Sequence, residues 1–254
     1  MDYSKLFNLD GQTAIITGSA RGNGKEIAMG LASVGANIVL ADILLLEKLQ
    51  EVAKEIESKG VGCLPIQTDV SEPSDVKKLV EKTVDKFGNI DILVNNAGIM
   101  IRGKVEEWSK EDWRKILDVN LIGPFLCAKE VFPIMKRNKK GKIINIASID
   151  AVRGFPGKIG YGSSKGGLLT FTRQLAVEWA EFGINVNAIC PGLVETSMSK
   201  DLIEREGREK LKLLTPMRKI LTPEDLVGAV IFLASAASDL VTGHALYVDG
   251  GMRS

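Results

Sequence analysis

The chain has 254 residues, 45% hydrophobic and 26% charged, so it can bury a sizeable core and has the make-up of a soluble globular protein, which excludes disordered and fibrous classes. With 33 Lys and Arg against 32 Asp and Glu, the net charge is +1, leaving no overall field to draw in nucleic acid or an anionic membrane. One histidine, His244, excludes a zinc site built on several histidines, and Cys63, Cys127 and Cys190 are far apart with no Cys-x-x-Cys spacing, as in a reducing cytosol. No metal is expected. Met1-Asp2-Tyr3-Ser4-Lys5 has no basic stretch leading into an apolar core, and no apolar run approaches the ~18 residues of a membrane span, so neither a signal peptide nor a span is expected.

Strand and helix patterns alternate. Strands are expected near residues 12–17, 36–41, 61–68, 90–95, 142–147, 184–190 and 245–248, and helices near 24–34, 44–59, 74–87, 110–137, 161–182 and 223–236. Runs such as Ile143-Ile144-Asn145-Ile146-Ala147 are apolar almost throughout, as in strands buried on both faces of a parallel sheet. The alternation predicts one α/β domain over residues 1–254, a doubly wound parallel sheet with right-handed crossovers. Ser109 and Thr222 precede helix starts and each has an acid three residues on, while Gly35, Gly60, Gly88 and Gly183 follow helical stretches, where a left-handed cap favours glycine.

The first strand, Ala14-Ile15-Ile16, runs into Thr17-Gly18-Ser19-Ala20-Arg21-Gly22-Asn23-Gly24 before a helix. Glycines there permit a tight turn and close approach to a pyrophosphate, which the free N–H groups and positive end of the helix would face. The second strand ends at Asp42, 18 residues after Gly24, near the spacing at which an acid binds the adenosine ribose hydroxyls. A carboxylate there repels a 2′-phosphate, and Ile43 offers no compensating cation, so NAD is expected rather than NADP. Arg21, a cation in the glycine turn, argues the other way. The third strand ends at Asp69-Val70 and the fourth at Asn95-Asn96-Ala97-Gly98. These residues can line an adenine and ribose groove, or simply make turns.

Asn120 falls inside a helical stretch, where asparagine is a poor helix former; it is expected to open the helix and hold a water behind Lys165. Ser148 closes the fifth strand, where a hydroxyl can polarise a substrate oxygen. Of the three tyrosines, only Tyr161 has a lysine four residues on, Lys165, on the same helical face. An ammonium nearby, together with a positive nicotinamide, favours phenolate and lowers the phenol from its usual pKa of about 10. Such a phenol can exchange a proton with an alcohol or ketone oxygen. Residues 193–221 carry the least pattern; they are expected to form a lid, the alternative being an ordinary pair of surface helices.

In this order and spacing the motifs resemble those of the short-chain dehydrogenase/reductase family, over nearly the whole chain from Gly11 to Gly251. The resemblance implies a single-domain Rossmann fold of seven strands and a nicotinamide-dependent oxidoreductase acting on CH–OH groups. It implies Tyr161 as acid/base, Ser148 orienting the substrate oxygen, and Asn120 completing a water relay. Lys165 would bind the nicotinamide ribose and depress the tyrosine. Gly18, Arg21, Gly22, Asn23, Gly24, Asp42, Asp69, Val70, Asn96, Ala97 and Gly98 would bind the cofactor with Tyr161 and Lys165. Pro191, Gly192, Val194 and Thr196 would hold its nicotinamide end. Asn23 departs from the pattern, which usually has Ile or Leu there. Members are usually cytoplasmic homotetramers, paired through the two long helices and the C-terminal region.

The members this chain most resembles oxidise sugars, sugar acids and polyols or reduce the matching ketones. Arg102, Asp150 and Arg153, with Ser148 and Tyr161, are the candidate substrate residues. Phe155 and Pro156 would instead suit an apolar substrate. The rivals are an NADPH-dependent 3-oxoacyl-(acyl-carrier-protein) reductase of the same family and, from another class, a non-catalytic dinucleotide sensor, which has no need of Ser148, Tyr161 and Lys165 together. His244 and the tryptophans Trp108, Trp113 and Trp179 read as structural.

Overall fold

The structure is a computed structural model describing residues 2–253; Met1 and Ser254, the two ends of the expected domain, lie outside the described residues. In chain order the elements are β1 (Thr13–Thr17), α1 (Gly22–Ser33), β2 (Asn37–Asp42), α2 (Leu46–Glu57), β3 (Cys63–Gln67), α3 (Pro73–Phe87), β4 (Ile92–Asn95), α4 (Lys110–Leu117), α5 (Gly123–Asn138), β5 (Gly141–Ile146), α6 (Ile159–Trp179), β6 (Ile184–Pro191), α7 (Lys200–Glu206), α8 (Arg208–Lys212), α9 (Val227–Ala234) and β7 (Ala245–Val248). The strands form one parallel sheet in the order β3-β2-β1-β4-β5-β6-β7. This is the Rossmann arrangement. Strand order reverses between β1 and β4, which opens a crevice beyond their C-terminal ends.

The near-continuous apolar strands follow from helices on both faces. Ile16, Ile38 and Ile144 pack with Ile27, Leu31, Leu49 and Leu233 from α1, α2 and α9. Their neighbours Ile15, Val39 and Ile143 turn to the other face and meet Leu79, Val131 and Leu175 from α3, α5 and α6. Each fully buried Ile or Leu contributes about 1.5–3 kcal/mol, so the two layers fix the strand ends rigidly.

The expected helix at 110–137 is opened by a π turn over Asp118–Ile122, which contains Asn120. The Ser109 hydroxyl accepts the Asp112 N–H at 2.9 Å, and the Thr222 N–H donates to Asp225 at 2.8 Å. Gly35, Gly60, Gly88 and Gly183 all have positive φ, between 71° and 98°. Trp108 and Trp113 meet edge to face, and Trp179 stacks on Phe132. His244 offers its backbone, its N–H donating to Asn187 and its carbonyl accepting from Ala188. No described helix is long and apolar enough to cross a membrane.

Candidate active site

The glycine turn is closed against itself and against the end of β4. A Cβ on Gly24 would lie 2.1 Å from the Gly18 carbonyl oxygen, and one on Gly18 2.8 Å from the Ala97 Cα. Thr17, which opens the glycine turn in the sequence but has no role of its own there, ties the two strand ends together. Its hydroxyl accepts the N–H groups of Asn96 and Ala97, each at 3.0 Å, while Asn96 donates to the carbonyls of Thr17 and Gly18, each at 2.9 Å. α1 then begins at Gly22 with no side-chain cap, so its first N–H groups are left for a ligand. Asp42 is nearly buried, its Oδ2 accepting from Ala20 N–H at 3.0 Å and its Oδ1 from Leu44 N–H at 3.1 Å.

A cleft of about 1070 Å³ runs from Asp42 across the C-terminal strand ends to Tyr161 and the 193–221 segment. Gly18, Arg21, Gly22, Asn23, Asp42, Asp69, Val70, Asn96, Ala97, Gly98, Lys165, Pro191, Gly192, Val194 and Thr196 all line it. Gly24 does not; it is packed behind Gly18. Asn23 has a buried Oδ1 with no hydrogen-bond partner among the described residues.

Ser148, Tyr161 and Lys165 come together at the far end of the cleft, and all are buried. Ser148 stands just beyond β5. Tyr161 is on the first turn of α6, where Gly160 lets Trp108 close in: a Cβ there would lie 2.4 Å from the indole. Lys165 Nζ donates to the Ile146 carbonyl at 2.7 Å and lies 5.8 Å from the Tyr161 ring centre. Asn120 does not line the cleft. From the π turn it accepts from Ile99 N–H at 2.8 Å and donates to the Ile99 carbonyl and to Ser164 Oγ. Gly98 stands beside Asn120 and Lys165; a Cβ there would be 3.3 Å from Asn120 Oδ1 and 3.5 Å from Lys165 Nζ.

Burial pushes the Tyr161 phenol well above its usual value, Asp150 adds to the rise, and the nearby Ser148 hydroxyl opposes it. The lysine alone therefore does not deliver the lowering expected from sequence; its ammonium is held on the Ile146 carbonyl. Burial brings Lys165 itself from 10.5 down to about 8, against the influence of Cys190.

Of the candidate substrate residues, Arg102 and Asp150 line the cleft and Arg153 does not. Arg153 donates to the Met252 carbonyl at 2.8 Å and lies over the Phe155 ring. Lys158, unnoticed in the sequence, lines the cleft and pairs with Asp150. Residues 193–221 form a closed excursion. Its base is a parallel bridge between Val194 and Leu221, and Arg208 of α8 forks onto Glu195, Nη1 donating to Oε2 at 2.8 Å and Nη2 to Oε1. Met198, Leu202, Arg205, Leu211 and Leu214 of this excursion face the cleft.

These features fit a dinucleotide: an uncapped helix start, a glycine turn with no room for side chains, and an orphaned acceptor at Asn23. The family model described as enoyl-(acyl carrier protein) reductase matches residues 18–253. The chain is 37% identical to a 3-oxoacyl-(acyl-carrier-protein) reductase of Synechocystis over 245 residues, 96% of this chain and 98% of that one. It is 38% identical to a 2-dehydro-3-deoxy-D-gluconate 5-dehydrogenase of Formosa agariphila over 250 residues, 97% of this chain and 94% of the relative. A gluconate 5-dehydrogenase from Burkholderia cenocepacia, solved with NADP and tartrate, superposes with a TM-score of 0.93 at 38% identity, covering 98% of this chain and 97% of that one.

Proposed function

The chain belongs to the short-chain dehydrogenase/reductase family, and from that premise we propose an NAD-dependent dehydrogenase that moves a hydride between nicotinamide and a secondary alcohol or ketone in a sugar, sugar acid or polyol. That it is an oxidoreductase of CH–OH groups follows from the family. The observation that carries the substrate reading is the polar floor beside the reacting groups, where Asp150 and Lys158 adjoin Ser148. Asp42 at the end of β2 supports NAD.

In oxidation, Ser148 orients the substrate hydroxyl and Tyr161 takes its proton as the carbinol hydrogen leaves. The bound nicotinamide supplies the hydride acceptor. Lys165 has N–H groups beyond the one given to Ile146, and these would hold the nicotinamide ribose and place positive charge beside the phenol. Asn120 keeps a lone pair on Oδ1 next to the space that Gly98 leaves, so a water can pass protons there from Lys165. Thr196 and Val194 would steady the nicotinamide end. The 193–221 excursion acts as a lid that excludes water. The exposed apolar residues Phe125, Val177 and Leu240 lie on the two long helices and the C-terminal region, in support of a homotetramer, and the reading places it in the cytoplasm.

A second reading, a 3-oxoacyl-(acyl-carrier-protein) reductase, draws on the apolar lid wall of Met198, Leu202, Leu211 and Leu214. Initial rates at 340 nm with NAD and NADP, against sugar acids, polyols and a 3-oxoacyl thioester, separate the two. Turnover of a sugar acid or polyol with NAD preferred is the expected result. Thioester reduction with NADPH and silence on polyols would overturn it.

A further inference from the structure

Asp150 and Lys158 form an ion pair that folding alone does not explain. Lys158 Nζ lies 3.1 Å from Oδ1 and 3.0 Å from Oδ2 of Asp150, with side chains only 15% and 5% exposed. Burying two charges costs solvation that their attraction at best offsets, and a well-packed apolar pair of similar size is often as stable. The pair nevertheless stands in the wall of the cleft, against the reacting groups. Ser148 Oγ donates to Asp150 Oδ2 at 3.2 Å and accepts from the Asp150 N–H at 3.1 Å.

Counting hydrogen-bond sites shows what is left over. A carboxylate has about four acceptor sites and an ammonium three donors. Oδ2 takes both Lys158 and Ser148, so it is full. Oδ1 takes Lys158 alone and keeps one site. Lys158 has no other hydrogen-bonded acceptor among the described residues; its ammonium also lies 4.8 Å from the centre of the Phe155 ring, and at least one of its N–H groups has no oxygen partner. One charged acceptor and one charged donor therefore stand side by side, close to the serine that orients the substrate oxygen. A hydroxyl on the carbon next to the reacting one matches them: its proton goes to Oδ1, while its own oxygen or that of the next hydroxyl takes the free N–H of Lys158. Charge-assisted bonds of this kind are the stronger class.

We propose that Asp150 and Lys158 act together as the specificity pair of this site, reading the hydroxyl adjacent to the reacting carbon and so selecting vicinal diols over isolated alcohols. The inference rests on the sugar or polyol reading and deepens it. A site built to bind a hydroxyl rejects the analogue that lacks it, because its own buried groups are then left unpaired.

The test compares the best polyhydroxylated substrate with its deoxy analogue lacking only that neighbouring hydroxyl, using the full chain with NAD. Wild type should prefer the hydroxylated compound by at least about tenfold in kcat/KM. In Asp150→Asn and Lys158→Met that preference should collapse to about threefold or less, with the loss falling on the KM of the hydroxylated compound. Two variants guard against one failing to fold, and unchanged NADH affinity by fluorescence shows that the cleft is intact. Equal losses on both compounds, with a shifted pH profile of kcat, would instead make Asp150 a positioning group for Ser148 and Tyr161 and overturn the inference. A preference that survives both substitutions would overturn it too, leaving the sugar reading standing. If wild type turns over no polyhydroxylated compound, the broader reading falls and takes this one with it.

Discussion

Replacing Asp42 with asparagine separates the job the structure gives this carboxylate, holding two backbone N–H groups, from the one we propose for it, choosing the cofactor. Its oxygens accept backbone N–H groups from Ala20 and Leu44 at 3.0 and 3.1 Å, and it lies almost buried at the end of β2. Hydrogen bonds to a charged acceptor contribute about 1.5–3 kcal/mol each. Asparagine keeps one acceptor but loses the charge and turns an N–H₂ toward the other donor, so a loss of about 2–3 kcal/mol is expected. At roughly 2–4 °C per kcal/mol for a chain of this size, the melting temperature should fall by about 4–12 °C. The proposed job is cofactor choice. A 2′-phosphate charge about 5 Å from the carboxylate is opposed by roughly 2–3 kcal/mol at effective dielectric constants of about 20–40. Removing the charge should shift the NAD-to-NADP affinity ratio toward NADP by about 30–150-fold. Melting curves and fluorescence titrations with both cofactors give the two numbers independently. A lower melting temperature with an unchanged affinity ratio would mean that Asp42 only secures the turn, and the argument for NAD would fail. An unchanged melting temperature would refute the hydrogen-bond accounting.

Tyr161→Phe should lower kcat by about 10²–10⁴-fold while NADH affinity stays near wild type; a loss under tenfold would remove Tyr161 from the proton transfer. Burial raises both Cys63 and Cys127 from 9.0 to about 12. The fold therefore keeps two protons that the unfolded chain loses, and that stability, complete below pH 9, drains away toward pH 12 at no more than about 1.4 kcal/mol per pH unit per thiol. Lys165, lowered from 10.5 to about 8, works the other way between those values, since there the unfolded chain holds the extra proton. In urea titrations at about pH 8.5 and 11, a Cys63→Ala/Cys127→Ala double variant should lose less stability with rising pH than wild type, and parallel losses would count against the burial argument. Arg208→Ala removes the clamp onto Glu195; limited proteolysis should then cut faster within 193–221 and KM should rise, whereas unchanged cleavage would argue against a lid.

The side chains to which we assign the proton transfer were legible as candidates in the sequence because local geometry places them. Tyr161 and Lys165 share a helical face by their spacing alone, and Ser148 stands at the end of an apolar strand whatever packs on it. The opening at Asn120 was legible for a related reason: asparagine and helix are in conflict there, and the chain resolves the conflict with a π turn whose amide bonds go to Ile99 and Ser164. Partner choice was another matter. Arg153 sits between Ser148 and Tyr161 in the chain, which made it a natural candidate for the substrate mouth, yet the Met252 carbonyl, 99 positions away, takes its guanidinium. Lys158 carried no signal of its own in a chain with 33 basic residues. It acquires meaning only because the loop after β5 brings its ammonium back onto Asp150. Thr17 likewise reads as an ordinary strand residue until β4 lies beside β1 and Asn96 and Ala97 turn their N–H groups to its hydroxyl. Spacing within a helix thus shows in the sequence, whereas a contact made by the path of a loop, as between Asp150 and Lys158, or by neighbouring strands, as between Thr17 and Asn96, does not. That is why the reaction class can be read here from a few residues, whereas the substrate preference we propose rests on a pair, Asp150 and Lys158, whose partnership only the structure shows.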